Sequence, residues 1–121
     1  MKRDADLMRS ILLYIEEHAP PQGGLNQPIE IVGYDQATVT AHTELLIEDG
    51  LVDGRVLDGF EFNEVMVIKL TSAGHDAIEA AKNSDAWHKA KTVAKEKGIS
   101  LTFGILVELV KAEARKHLGL L

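Results

Sequence analysis

Leu7, Met8, Ile11, Leu12, Ile15 and His18 recur at helical spacing, with Arg9, Glu16 and Glu17 turned outward and Asp4 standing where an N-cap belongs. This predicts a core helix from about Asp4 to His18. Pro20 and Pro21, which lack amide protons, and the glycines behind them end it. Ile29 to Val32 alternates apolar and polar positions, which predicts a short strand. The best delimited stretch is Asp35 to Val52. Asp35 is placed to cap a helix, Gly50 to take the left-handed turn after it, and Leu51 to fold back on its last turn. At 100° per residue Val39, His42, Thr43, Leu46 and Asp49 share one face, predicted to be buried. Ala37, Thr40, Ala41, Glu44 and Glu48 lie opposite, and only Gly33 and Tyr34 separate Val32 from the cap.

Beyond this helix the period changes to that of strands. Arg55 to Leu57 and Glu64 to Leu70 suit a hairpin, because Val56, Val65, Val67 and Ile68 favour a pleated, half-buried surface. Asp58-Gly59 supplies a turn, in a connection longer than two residues, and Phe60 to Asn63 fit either strand or loop. Thr71 is placed to cap a helix from Ser72 that faces Ala77, Ile78 and Ala81 inward, with Gly74 allowing it close to the sheet. Asp85 opens a further helix through Trp87, Ala90, Val93 and Ala94 to Gly98, with Lys89, Lys91, Lys95 and Lys97 on its wetter side. Ser100 or Thr102 opens the last helix, which runs to about His117 and is closed by Gly119. Its first turns are apolar nearly all round, so it needs cover on more than one side.

These elements predict an α+β chain: residues 1–83 as one domain with a small antiparallel sheet, and 84–121 as a helical C-terminal extension. A length of 121 residues suits one modest core. Cysteine is absent, which excludes disulfides and thiolate metal sites and fits a reducing interior. The charged N-terminus does not resemble a cleavable leader. The longest apolar run, Ile99 to Val107, is far short of the roughly 20 residues a bilayer span needs. The expected location is the cytoplasm, with no membrane partner. Charge divides unevenly: residues 1–83 hold six Lys and Arg against fifteen Asp and Glu, a net of −9, and the remainder hold seven against four, a net of +3.

The pattern TVTAHTELLIEDGLV, followed by a hairpin and then LTSAG, is similar to the way winged-helix domains write their third helix, wing and next helix cap. More narrowly, the chain resembles an uncharacterised bacterial and phage winged-helix family, Domain of Unknown Function 2513. The opening KRDADLMRSILLYIEE, the helix AHTELLIEDGLV and the stretch LTSAGHDAIEAAKNSDAWHKAK with ISLTFGILVELVKAEA behind it carry that resemblance, in that order. The resemblance implies a winged-helix fold and is almost silent on activity, since the family has no established catalytic or ligand-binding residues to carry over. Against that fold, no residues remain for the usual second helix unless the Gln22 to Gln27 loop supplies it.

Candidate chemistry is sparse. The five histidines show no HExxH or HxH spacing. His75, followed by Asp76, reads as a hydrogen-bonded histidine in the first turn of a helix, and His42 as a satisfied core histidine. No phosphate loop, nucleophile elbow or thiol is present, so the chain reads as non-enzymatic, with no cofactor and no metal. Two functions follow. The first is a regulatory or interaction module that self-associates, most simply as a two-fold dimer, or binds a protein partner. Its candidate surface is Leu101, Phe103, Ile105, Leu106, Leu109 and Val110 of the last helix. The alternative is a double-stranded DNA-binding regulator that uses the Asp35 to Gly50 helix and the wing. Gln36, Thr40 and Arg55 would then be its readers, with Lys89, Lys91, Lys95 and Lys97 touching phosphate. The acidic balance of residues 1–83 disfavours it.

Overall fold

A computed structural model describes residues 1–61 and 63–119, with only the backbone for His117. The order is α1 (Ala5–His18), α2 (Gln36–Glu48), β1 (Val52–Leu57), β2 (Glu64–Leu70), α3 (Ser72–Ala81), α4 (Ser84–Glu96) and α5 (Phe103–His117). The fold is α+β, with an antiparallel hairpin and C-terminal helices. The register runs from Val52 opposite Leu70 to Leu57 opposite Glu64, with a bulge between Asp53 and Gly54. The connection therefore spans residues 58–63, longer than two residues as expected; Phe62 within it lies outside the described residues.

The caps follow from the residues at the helix ends. Asp4, Asp35, Thr71 and Thr102 each accept the backbone N–H three residues on, from Leu7, Thr38, Gly74 and Ile105. The cap of α4 is Asn83, whose carbonyl accepts the Ala86 N–H at 2.9 Å. Asp85, expected there, sits instead in the first turn, where a negative charge suits the helix dipole. At the end of α2, Gly50 has φ +78°, its N–H reaches Ile47 O at 3.0 Å, and the Leu51 N–H reaches Leu46 O at 3.0 Å. That is the Schellman arrangement expected of Asp49-Gly50-Leu51.

The predicted strand at Ile29 to Val32 does not form. Its alternation buries Ile29 against the core and half-buries Ile31 in a stretch without regular structure, while the loop meets the sheet through one bond, Leu25 N–H to Val67 O at 2.9 Å. No helix forms between His18 and Gln36 among the described residues. Val39, His42, Thr43 and Leu46 are buried as expected, whereas Asp49 is exposed and pairs with Arg3 at 3.7 Å. His42 is satisfied on both nitrogens: Nε2 accepts the Asp4 N–H at 2.9 Å and Nδ1 lies 2.8 Å from Thr38 O. An amide can only donate, so Nδ1 carries the proton and His42 ties the start of α1 to α2.

Two side chains of α1 depart from expectation. His18 is exposed and stacks on Tyr14 at 4.0 Å. Arg9 turns in to the end of α3, donating to Ala81 O at 2.7 Å and Lys82 O at 3.0 Å, where a cation satisfies the last carbonyls. Strand β1 also carries less cover than expected, since Val56 stays 38% exposed.

The core is one cluster, built from Leu7, Ile11 and Ile15 of α1, Leu46 of α2, Val67 and Leu70 of β2, Ile78 of α3, Trp87 and Ala94 of α4, and Leu106 of α5. Helices α4 and α5 thus pack into the same interior as α1, α2, α3 and the hairpin. Trp87 Nε1 donates to Asp6 of α1 at 2.8 Å, and α5 is covered by α1, α3 and α4.

Helix α3 sits against the junction of α2 and the hairpin. Thr71 accepts the Gly74 N–H and donates to Gly50 O at 2.6 Å, and its own N–H bonds Leu51 O at 3.1 Å. A Cβ on Gly74 would run into that Leu51 carbonyl and lie 3.4 Å from Leu70 Cβ. Two effects therefore compete in Gly74→Ala. Helix propensity favours alanine by about 1 kcal/mol, but overpacking against backbone costs about 1 to 3 kcal/mol or more. The clash should win, leaving a net destabilisation of about 1 to 2 kcal/mol by urea titration; a stabilised variant would contradict the close approach.

Candidate functional site

The outer face of α2 does not stand clear of the molecule as a ridge. It forms one wall of an open groove of about 660 Å³. Gln36, Ala37, Thr40, Ala41 and Glu44 make that wall, and Thr40, Ala41 and Glu44 are half-buried in it. Leu25 to Ile29 form a second wall and Glu64 to Val67 of β2, with Leu57, a third. The Asp35 cap sets where α2 starts, and so which residues face the groove; the Thr38 backbone N–H, and then its side-chain hydroxyl, hold the Asp35 carboxyl below the ordinary aspartate value.

The lining is mainly apolar. Its polar groups are amides (Asn26, Gln27, Gln36, Asn63), two threonines and the carboxylates of Glu44 and Glu64. Among the described residues none of the lining is Lys or Arg, and neither glutamate makes an ion pair. Gln36 leans on Thr40, 3.5 Å away, and Thr43 donates its hydroxyl to Val39 O at 2.8 Å. Leu57 and Met66 line the groove yet remain 44% and 51% exposed. At the hairpin tip beside them Phe60 is fully exposed, close to Asp58 and Glu61.

The structure scatters the candidate nucleic-acid residues. Gln36 and Thr40 line the groove, Arg55 is exposed on β1, and Lys89, Lys91 and Lys95 lie on α4, with Lys97 at its C-cap; α4 packs on α3 and α5. At 100° per residue Lys91 and Lys95 point one way and Lys89 and Lys97 another. Two of them are engaged: Lys89 pairs with Glu113 at 2.7 Å and Lys91 with Asp6 at 2.8 Å. Of the candidate interaction residues on α5, Phe103, Leu106 and Val110 are buried in the core and Leu109 is half-buried. Leu101 and Ile105 remain 36% and 39% exposed. The helix finds most of its cover inside its own chain.

His75 and Asp76 are exposed on α3, and no hydrogen bond reaches the His75 ring among the described residues, contrary to the expectation of a bonded histidine. The described residues hold no cluster of three or more His, Asp or Glu able to bind a metal. No described helix is long and apolar enough to cross a membrane.

Residues 2–100, from the N-terminus through α4, match the family described as Hypothetical protein (DUF2513). The chain belongs to that family. It is also 34% identical over 113 residues to an uncharacterised protein of Haemophilus influenzae, a match that covers 92% of this chain and 93% of the relative. No solved structure matches. The DUF2513 match ends before α5, although α5 completes the core in this member. The groove is only half legible in the sequence because its second wall, Leu25 to Ile29, gives no periodic signal.

The Asp6 pair makes a pH prediction. Burial opposes ionisation of Asp6, but hydrogen bonds from Lys91 and Trp87, together with the Lys91 charge, outweigh it and hold the carboxyl below its ordinary 3.8. A depressed folded value stabilises the native state above the unfolded value, and that contribution is lost as pH falls through the folded value. Wild-type melting temperature should therefore fall below about pH 4, and Asp6→Asn should remove part of that fall. An unchanged acid limb in Asp6→Asn would show that the pair contributes nothing to it.

Proposed function

We propose that this DUF2513 protein is a non-enzymatic interaction module that binds a protein partner in the groove between α2 and the hairpin, on a winged-helix type of scaffold. One observation carries the reading: Thr40, Ala41 and Glu44, on the helical face a DNA reader would present, are half-buried in an apolar groove whose charged lining among the described residues is carboxylate alone. Duplex DNA needs several Lys or Arg contacts to phosphate, and of the candidate basic contacts only Arg55 lies on the hairpin beside that helix, while the lysines of α4 lie on a helix packed against α3 and α5. The polar groups converging on the groove suit hydrogen bonding to a partner. None forms a nucleophile and base pair.

Helix α5 supports self-association less than its sequence promised, because Phe103, Leu106 and Val110 are already covered. Light scattering after size exclusion, with and without a 20-base-pair duplex at low salt, tests the reading. The expected result is the mass of one chain, 13.2 kDa, with no DNA carried along at physiological salt. Binding to duplex that survives physiological salt and disappears in Gln36→Ala would overturn it in favour of a DNA-binding regulator.

A further inference from the structure

The two-stranded sheet leaves the outer edge of β2 open beside the groove. Val67 turns its carbonyl outward, where the Leu25 N–H takes it at 2.9 Å. Gly24 lets the loop come that close, since a Cβ there would lie 2.9 Å from the same oxygen. Leu25 thus occupies the place of a third strand for one bond and then leaves the sheet.

Strand period places the N–H and C=O of Val65 on the same edge as Val67. Among the described residues no hydrogen bond reaches that edge at Val65. An unpaired strand edge is a template for another chain. Here it is joined to an apolar slot with α2 as its opposite wall, and to exposed Leu57, Phe60 and Met66 on the hairpin.

We infer that the groove takes an extended partner segment of alternating apolar and basic residues, added as a third strand along the Val65 edge of β2. This rests on reading the protein as an interaction module. Main-chain bonds to Val65 supply affinity without regard to sequence, and the alternation of side chains supplies selectivity. Apolar side chains on one face enter the slot between Thr40 and Val65. Basic ones on the other face meet Glu64, which points to the opposite strand face from Val65, with Asp58 and Glu61 farther along at the hairpin tip, while Glu44, one turn along α2 from Thr40, adds negative charge beside the slot; neither Glu44 nor Glu64 has an ion-pair partner among the described residues. A second copy of this chain suits the site less well, since its own β2 edge would bring Glu64 against the same carboxylates.

The test uses the full chain, labelled with nitrogen-15, and three end-blocked eight-residue peptides. One alternates valine and lysine, one alternates valine and glutamate, and one repeats the first with every other backbone nitrogen methylated. The expected result is saturable shifts at Thr40, Val65 and Met66 with the valine–lysine peptide, and at least tenfold slower exchange of the Val65 N–H. Affinity should fall at least tenfold for the glutamate and methylated peptides, and at least fivefold in the double variant Glu44→Gln, Glu64→Gln.

Shifts in the groove without Val65 protection, or equal binding of the methylated peptide, would overturn strand addition while leaving an interaction module in place. No binding of the valine–lysine peptide would overturn the inference outright. Concentration-dependent shifts at Val65 without peptide would make a second copy the occupant and equally overturn it. Saturable shifts at Gln36, Thr40 and Arg55 with duplex DNA in physiological salt would instead bring down the parent reading.

Discussion

Trp87→Ala should cost about 3 to 5 kcal/mol, the usual range for truncating a buried aromatic ring, and should loosen both halves of the chain together. Trp87 is 1% exposed. Its indole N–H reaches Asp6 across the α1–α4 boundary at 2.8 Å, its ring lies 5.6 Å from that of Phe103, and the Arg9 guanidinium sits over it at 5.8 Å. Removing the ring opens a void bordered by α1 and α5 and takes the cation's partner from Arg9, an interaction worth about 0.5 to 2 kcal/mol. Domains of this size have only about 5 to 15 kcal/mol in total, so the loss is a large share.

Urea unfolding followed by circular dichroism is the measurement. A single transition with a lowered midpoint is expected, because Trp87 and Leu106 belong to the same cluster as Leu7 and Ile11. If residues 84–121 instead behaved as a separable extension, the variant would melt in two steps, with the first 83 residues keeping the wild-type midpoint. Trp87→Phe separates packing from bonding: it keeps most of the ring and loses the Asp6 bond, itself worth about 1 kcal/mol.

What could be read from the sequence was what local chemistry decides. The Asp4, Asp35 and Thr71 caps, the Gly50 turn and the buried faces of α1 and α2 depend on residues within a turn or two of each other, and the chain carries them openly. The misreadings share a cause, a distant partner. Arg9 looks like a surface residue until the end of α3 supplies carbonyls for it. Ile29 to Val32 alternates like a strand, yet only pairing makes one, and β2 offers this loop a single bond through Leu25. For the apolar run of α5, periodicity records what must be covered and not by which helix; α1, α3 and α4 do most of the covering, and Leu101 and Ile105 stay exposed. The groove was half legible. The sequence separates the Thr40 and Glu44 face of α2 from the core, but the coil at Leu25 to Ile29 that walls it off becomes visible only in the fold.

That two-faced helix yields the second large effect. Leu46 is fully buried, in the α2 turn whose carbonyls receive the Gly50 and Leu51 amides. Leu46→Ala should cost about 2 to 5 kcal/mol, toward the upper end if its neighbours are held. The Schellman turn fixes one side of the cavity and the Thr71 to Gly50 bond braces it, so collapse into the void is restricted. Glu44, two residues earlier, turns toward the groove and makes no ion pair among the described residues, so Glu44→Ala should change stability by less than about 0.5 kcal/mol. Measured together by thermal and urea unfolding, the pair separates scaffold from surface. Leu46→Ala should lower the midpoint without changing the urea slope, since the same area is exposed on unfolding. Should Glu44→Ala prove the more damaging of the two, its carboxylate would be serving the fold, and the groove would lose its claim to a charge held free for a partner.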